Sequence, residues 1–434
     1  MSDKIKLKYG VEDKPPLGET LLYGFQWLAV GLPMVVVLGQ VVAVHNFSSA
    51  PDQVVFMQKL FFVTAVSSLL QLFVGHRLPA VIGPAAIIVV GITSNQAADL
   101  SSIYSSIVIG GALLTLLCMT GLFSKIEKLF TRQVVAVILL LIALTLVPTI
   151  INLITSVPAA GLEFFHLIFA FIFIVAMFLA NRFLKGIWKS TLIIWAMIAG
   201  SIVYVLLVPE YNWMPGETLA VFSNFFSDLS FSFSLDIGVL ISIIICYIAL
   251  STNDLGSIQA IGELVQAPDM GKRLKAGISV TGLSSIMAGF LGVAGPVNYS
   301  LSTGVIASTG IGSSFTMVPA GIAMLVVSFM PGIVSFLSGI PPLIIGVIFL
   351  YIMCSQIAAG LVTAFSGESF RFEDGLTIGL ALMLGLIVTF LPETTIAALP
   401  RLLRPILGNG FVVGTTAVLL MEHVVFRACT RRAG

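Results

Sequence analysis

The chain has 434 residues, of which 58% are hydrophobic and 9% are charged. An average soluble domain has about 25% charged residues, so the composition excludes a water-soluble protein and indicates a chain that crosses a lipid bilayer many times. The formal net charge of +1 argues against nucleic acid as a partner. The four cysteines and four histidines are scattered without metal-ligand spacing, so we expect no metal site, no cofactor and no catalytic centre.

Apolar windows recur along the chain from Leu21, each about 20 residues long, which is the length that crosses a hydrocarbon core. We predict fourteen membrane segments, of which the third and the tenth are poor spans. The polar stretch 1–18 precedes them and carries no cleavable signal pattern, so we expect it in the cytoplasm. The segments begin near residues 20, 55, 80, 101, 133, 163, 189, 235, 275, 299, 314, 342, 374 and 405.

The basic residues support this number of segments. With the N-terminus inside, 19 of the 21 lysines and arginines fall on the cytoplasmic side. Only Arg401 and Arg404 fall outside, as the positive-inside rule requires. The basic run at 182–189 is then an ordinary cytoplasmic anchor. We expect an inner or plasma membrane protein whose two termini, including the tail 427–434, are cytoplasmic.

A long outer loop at 211–234 divides the predicted segments into two groups of seven. Because seven is odd, the two groups must be inverted relative to each other in the membrane. The predicted fold is therefore all-α and polytopic, with two inverted repeats of seven segments.

The third and tenth segments are interrupted by Gly83-Pro84 and Gly295-Pro296. The helical part after each break has about ten residues, or about 15 Å, which is half a bilayer. Two short, broken segments in matching places of the two halves are typical of secondary transporters with a site at the midplane. The half-helices would begin near Ala86 and Ser302 and point free N–H groups at each other across a small gap.

One carboxylate, Asp254, lies about 18 residues into the eighth segment, and a carboxylate inside the membrane is a functional candidate by default. Alternatively, Asp254 belongs to a cytoplasmic helix end. At the equivalent place in the first segment, Gln26 and Trp27 either line a cavity or anchor helix packing.

Four stretches resemble the nucleobase–cation symporter family, also called nucleobase–ascorbate transporters, over essentially the whole chain: "KYGVEDKPPLGETLLYGFQWLAVGLP", the broken third segment, the Gly256 region and "STGVIASTG". The resemblance implies alternating access by a core domain moving against a gate domain, with substrate between them, and a homodimer formed by the gate domain. The implied bounds are 19–124 and 235–340 for the core domain, and 125–210 and 341–426 for the gate domain.

The family's motifs are matched in part. In the tenth segment Gly304, Thr309 and Gly310 agree, whereas Leu301 and Ser302 replace a polar pair. In the eighth segment Asn253 replaces a glutamate, so Asp254 is the nearby substitute for ion coupling. The substrate-binding residues that the resemblance implies are Gln26, Trp27, Ala85, Ala86, Asn253, Ser257, Leu301, Ser302 and Thr303.

We therefore predict a secondary transporter of a nucleobase of the xanthine, uracil or urate class, driven by a proton or sodium gradient. The alternative is a small-anion transporter of sulfate-permease-like architecture, which the missing carboxylates favour because a carboxylate would repel an anion. An intramembrane enzyme is not expected, because no group of residues supplies a nucleophile, a base or a metal site.

Overall fold

A computed structural model of the chain describes residues 7–95, 98–123, 128–156, 163–209, 211, 220–228, 231–366 and 370–426. The prediction for the tail 427–434 lies outside the described residues, as does much of the predicted outer loop 211–234. The described part is built almost entirely of helices, with two three-residue strands.

The described first half of the chain ends near residue 209 and contains nine helices and one strand. α1 is 30 residues long and begins directly after Pro16. The helix that follows it begins after Ser49, whose hydroxyl accepts the N–H of Asp52, a frequent helix start. The elements are α1 (Leu17–Asn46), α2 (Ala50–Phe73), β1 (Ile82–Pro84), α3 (Ala86–Thr93), α4 (Leu100–Met119), α5 (Arg132–Thr145), α6 (Val147–Thr155), α7 (Glu163–Phe183), α8 (Gly186–Ser190) and α9 (Leu192–Leu207).

The second half repeats this pattern of long helices interrupted once by a strand and a short helix. Its elements are α10 (Ile237–Leu264), α11 (Met270–Leu291), β2 (Pro296–Asn298), α12 (Ser302–Thr309), α13 (Val318–Ser328), α14 (Pro331–Ser338), α15 (Pro342–Phe365), α16 (Phe372–Thr389), α17 (Glu393–Ala397), α18 (Arg404–Leu407) and α19 (Gly410–Leu420). The chain continues from α19 as a π-helix over Met421–Phe426.

Among the described residues, nine helices are long and apolar enough to cross a membrane, counting α5 and α6 as one. The stretch of α13 and α14 would make a tenth, bent by 94°. The protein is therefore a multi-pass membrane protein. The number fourteen stays a prediction, because α9, α19 and the two interrupted segments are too short to be recognised by length.

The two interrupted segments meet in the middle of the fold. β1 and β2 pair antiparallel, with Ile82 opposite Asn298 and Pro84 opposite Pro296. The N–H groups of Ala85 and Tyr299 extend the ladder to the carbonyls of Gly295 and Val81, each at 2.9 Å. Extended backbone inside a membrane is tolerated only where it is buried in protein and fully bonded, and both strands are buried. We call this paired element the crossover.

The long helices pack in two groups. In the first, α4 packs on α10 and α11, and α13 packs on α1 and α2. These are the same contacts with the two halves of the chain exchanged. In the second, α5 packs on α15, α16 and α19, and α16 packs on α19. The crossover belongs to the first group, since β1 packs on α1 and α2, and β2 packs on α10 and α11.

Candidate functional site

A cavity of about 490 Å³ lies between the crossover and the second group of helices. Its walls come from both halves of the chain, and its size suits a small heterocycle or ion. Apolar side chains of α1 form one wall. The polar groups include Asn253, Ser300, Thr303, Lys189, Ser190 and Gln356.

The two half-helices approach this cavity differently. No side chain caps α3, so the N–H groups of its first turn are open to a ligand beside Ala85 and Ala86, which line the cavity. In α12 the corresponding N–H groups, those of Ser302, Thr303 and Gly304, already donate to the carbonyls three residues earlier. The expectation of free N–H groups at both half-helices therefore holds for α3 and is wrong for α12, whose chain already turns tightly at Leu301.

Tyr299 gives the cavity an aromatic wall. Its hydroxyl donates to the carbonyl of Pro84 at 2.6 Å, which ties the ring across the crossover. The ring lies against Gly83, where a Cβ atom would stand only 2.7 Å from the ring carbon Cε2 of Tyr299. Glycine is therefore required at residue 83 for this ring position. The sequence-based prediction overlooked Tyr299, although it comes three residues after the Gly295-Pro296 break.

Asn253 and Asp254 are neighbours on α10 and face different surroundings. Asn253 lines the cavity. Asp254 is fully buried, and one of its carboxylate oxygens accepts the backbone N–H of Asn298 at 2.9 Å and the side-chain amide of Asn298 at 2.7 Å. The other oxygen accepts the hydroxyl proton of Thr281 at 2.7 Å. The carboxylate therefore binds β2 to α11 and is not among the groups that line the cavity.

The network around Asp254 continues to the loop before β1. Nδ1 of His76 accepts the N–H of Leu78 at 2.9 Å, so in the neutral ring the proton is on Nε2. Nε2 of His76 then donates to Oδ1 of Asn298 at 2.9 Å. The amide of Gln71 donates to the Thr281 hydroxyl at 3.1 Å. The sequence offered one signal for this network, the polar residue Asn298 two residues after a Gly-Pro break in an apolar segment.

The structure brings together one part of the predicted site. Gln26 is buried and donates over 3.5 Å to the hydroxyl of Ser190, which lines the cavity. Trp27 lies apart from the lining and donates its indole N–H to Thr316 at 3.0 Å. The predicted residues that line the cavity are Ala85, Ala86, Asn253, Leu301 and Thr303.

Two further predicted residues are buried and do not line the cavity. The hydroxyl of Ser302 accepts the N–H of Val81 at 2.8 Å and donates to the carbonyl of Tyr299, also at 2.8 Å. It therefore connects α12 to the start of β1. Ser257 is buried on α10, one turn after Asn253, and is not among the lining residues.

The wall that α8, α9 and α15 contribute was not predicted. It includes Lys189 and Thr191 around α8, and Tyr351, Ser355 and Gln356 on α15. The segment around Lys189 was interpreted as a cytoplasmic anchor. Tyr351 contacts the ring of Phe178, with centroids 5.3 Å apart, and also lines the cavity. Periodicity alone contains no signal for this wall, because it depends on how the two helix groups meet.

Comparison with known proteins agrees with this architecture. The sequence profile Xan_ur_permease, described as "Permease family", matches residues 18–394. The chain belongs to this permease family. The resemblance to nucleobase transporters is thereby confirmed, and the protein is a transporter and not an enzyme.

Similar proteins align with the permease along most of their length. The xanthine permease XanP of Escherichia coli is 25% identical and covers 96% of this chain and 94% of its own. The nucleobase transporter PlUacP of Paenibacillus larvae is 22% identical and covers 94% of each chain. The uric acid permease PucJ of Bacillus subtilis is 24% identical over 82% of this chain and 81% of its own.

Solved structures with the same fold belong to other transporters. The transmembrane domain of the cyanobacterial bicarbonate transporter BicA superposes on the permease with a TM-score of 0.61 at 15% identity, covering 88% of this chain and 98% of that one. The murine anion transporter Slc26a9 in its inward-facing state gives 0.62 at 13% identity, covering 97% and 70%. At these identities the likeness concerns the fold alone.

Proposed function

We propose that the permease moves a nucleobase of the xanthine, uracil or urate class across the membrane. The cavity beside the crossover carries this proposal, since it places a planar ring, an amide and free backbone N–H groups within one small volume. The names of the relatives, a xanthine permease, a uric acid permease and a nucleobase transporter, point to the same class.

Each group of the proposed site has a role that a nucleobase can satisfy. The ring of Tyr299 offers a face on which a planar heterocycle stacks. The amide of Asn253 can accept one N–H of the base and donate to one carbonyl oxygen. The open N–H groups at Ala86 and beyond suit a second carbonyl oxygen, since the helix dipole is positive there. Leu301 supplies an apolar contact in place of the family's polar residue.

The mechanism in this proposal is alternating access. The first helix group would be the core domain, residues 19–124 and 235–340, and the second the gate domain, residues 125–210 and 341–426. The reciprocal packing of α4 and α13 on the helices of the other half supports fourteen segments in two inverted repeats. Inner or plasma membrane location, cytoplasmic termini and a homodimer remain part of the proposal.

Coupling to a proton or sodium gradient also belongs to the proposal. Asp254 was the predicted coupling residue, but its three hydrogen bonds favour a positioning role over direct exchange with the cavity. We therefore assign no coupling residue.

A transport panel tests the substrate class. Purified permease in liposomes is expected to take up xanthine, urate or uracil, and Asn253→Ala is expected to abolish uptake or change the preferred base. The neighbouring change Thr252→Ala is the control, since that hydroxyl is 3.4 Å from the carbonyl of Ile248 on its own helix. Uptake of sulfate or bicarbonate in the absence of any nucleobase transport would overturn the proposal in favour of the small-anion alternative.

A further inference from the structure

The described lining of the cavity carries a positive charge and no negative charge. Among the described residues that line it, Lys189 is the single one with a formal charge at neutral pH. The ion pairs between described residues involve Lys8, Arg273 and Arg371, so no carboxylate in that part of the chain pairs with Lys189. The ammonium group of Lys189 is therefore available to a ligand.

Within the described part of the chain, the helices that pack on α8 add no negative charge. α8 packs on α12 and α9, and neither helix contains a charged residue. Arg182 and Lys185 lie nearby in sequence, and no acidic residue occurs between 164 and 209. The nearest carboxylate to the cavity in sequence, Asp254, is turned into the protein and already accepts three hydrogen bonds.

The half-helix α3, which also borders the cavity, favours negative charge as well. The first turn of α3 has open N–H groups and the positive end of a helix dipole. A ligand in this cavity would thus meet both the backbone donors of α3 and the ammonium group of Lys189. The hydroxyls of Ser300, Thr303 and Ser355 can add further donors.

We infer that the permease takes its substrate as a monoanion, an oxopurine whose ring has lost a proton, and that Lys189 selects this form. The inference rests on the proposed function and narrows its substrate class. Loss of a ring proton turns an N–H donor of the base into an acceptor nitrogen, which matches a site rich in donors. Urate, which is anionic at neutral pH, is the chemical type, whereas hypoxanthine is neutral and lacks this match.

The test compares binding of urate and hypoxanthine to the full-length permease at neutral pH. We expect Lys189→Gln to weaken urate binding about tenfold, equivalent to about 1.4 kcal/mol, and to leave hypoxanthine binding unchanged. Lys189→Arg should retain most of the urate affinity. Lys185→Gln is the matched control, because Lys185 is four residues earlier and outside the cavity lining, and it should change neither ligand.

The two proposals fail in different ways. Equal binding of urate and hypoxanthine, with no effect of Lys189→Gln, overturns the monoanion inference and leaves nucleobase transport standing. Equal weakening of both ligands by Lys189→Gln also overturns it, since a charge-selective role predicts a difference. If no purine or pyrimidine binds, and a cooperative thermal transition shows that the protein is folded, the proposed function itself is overturned.

Discussion

At the scale of single residues, the carboxylate of Asp254 connects β2 to two helices through three hydrogen bonds. Burying a carboxylate is costly unless donors surround it, and here the donors are the backbone and side chain of Asn298 and the hydroxyl of Thr281. His76 completes the arrangement by donating to the same asparagine. The carboxylate therefore stabilises the crossover without lining the cavity, whereas Asn253, one residue earlier, does line it.

We expect Asp254→Asn to lower the free energy of unfolding by about 2 kcal/mol, since hydrogen bonds to a charged acceptor contribute about 1.5–3 kcal/mol. The new amide would place a donor opposite Thr281, whose hydroxyl already accepts from Gln71. Thermal unfolding in detergent measures the effect.

Glu263→Gln is the control for Asp254→Asn, because it makes the same chemical change at an exposed residue of the same helix. Normal stability of Asp254→Asn, together with loss of gradient-driven accumulation alone, would contradict the positioning role and return Asp254 to ion coupling.

At the scale of elements, α4 and α11 approach so closely that their backbones touch. A Cβ atom on Gly282 would stand 2.7 Å from the carbonyl oxygen of Gly111, and one on Gly111 would stand 2.7 Å from the carbonyl oxygen of Gly282. Small residues at such contacts allow membrane helices to pack tightly, where water supplies no driving force between them. This contact joins the two halves of the chain.

We expect Gly282→Ala to destabilise the protein by about 1–3 kcal/mol, the usual cost of overpacking, because the opposing atoms include the backbone oxygen of Gly111 and the backbone nitrogen of Thr115, which cannot turn away. Gly271→Ala on the same helix has open space around the added methyl group and should be neutral or slightly stabilising. Thermal unfolding of the two variants side by side gives the comparison. Equal stability of both would show that α4 and α11 can separate without cost.

At the scale of the whole molecule, the cavity lies where the two helix groups meet. The contact between Gln26 on α1 and Ser190 on α8, at 3.5 Å, joins the proposed core domain to the proposed gate domain. If the groups move against each other during transport, this contact must break and re-form in each cycle.

A cross-link between residues 26 and 190 is therefore expected to stop transport. We would introduce cysteines there in a background without the native cysteines and join them with a short bifunctional reagent that forms disulfides. Uptake is then measured before and after reduction of the cross-link. Cysteines in place of Ser101 and Ser232, whose hydroxyls are 2.7 Å apart, provide a control cross-link away from α8. Full uptake with residues 26 and 190 joined would argue against relative movement at this point.

Parts of the site could be predicted because their signals are local. The Gly-Pro breaks at 83–84 and 295–296 predict interrupted segments. Ala85, Ala86 and Leu301, which lie close to these breaks in sequence, do line the cavity. The direction of the side chains could not be predicted. Successive residues of a helix differ by about 100°, so Asn253 and Asp254 were equally good candidates until the positions of β2 and α11 were known.

The sequence by itself determined that this protein is a membrane-spanning permease, because apolar length, charge asymmetry and motif order are properties of the chain alone. It also located the two breaks, since a proline within an apolar segment removes a backbone donor and interrupts the helix. Only the tertiary structure decided what surrounds the substrate cavity. Contacts between segments far apart in the chain pair β1 with β2, turn Asp254 away from the cavity and bring Lys189 to its wall. No local pattern encodes such contacts.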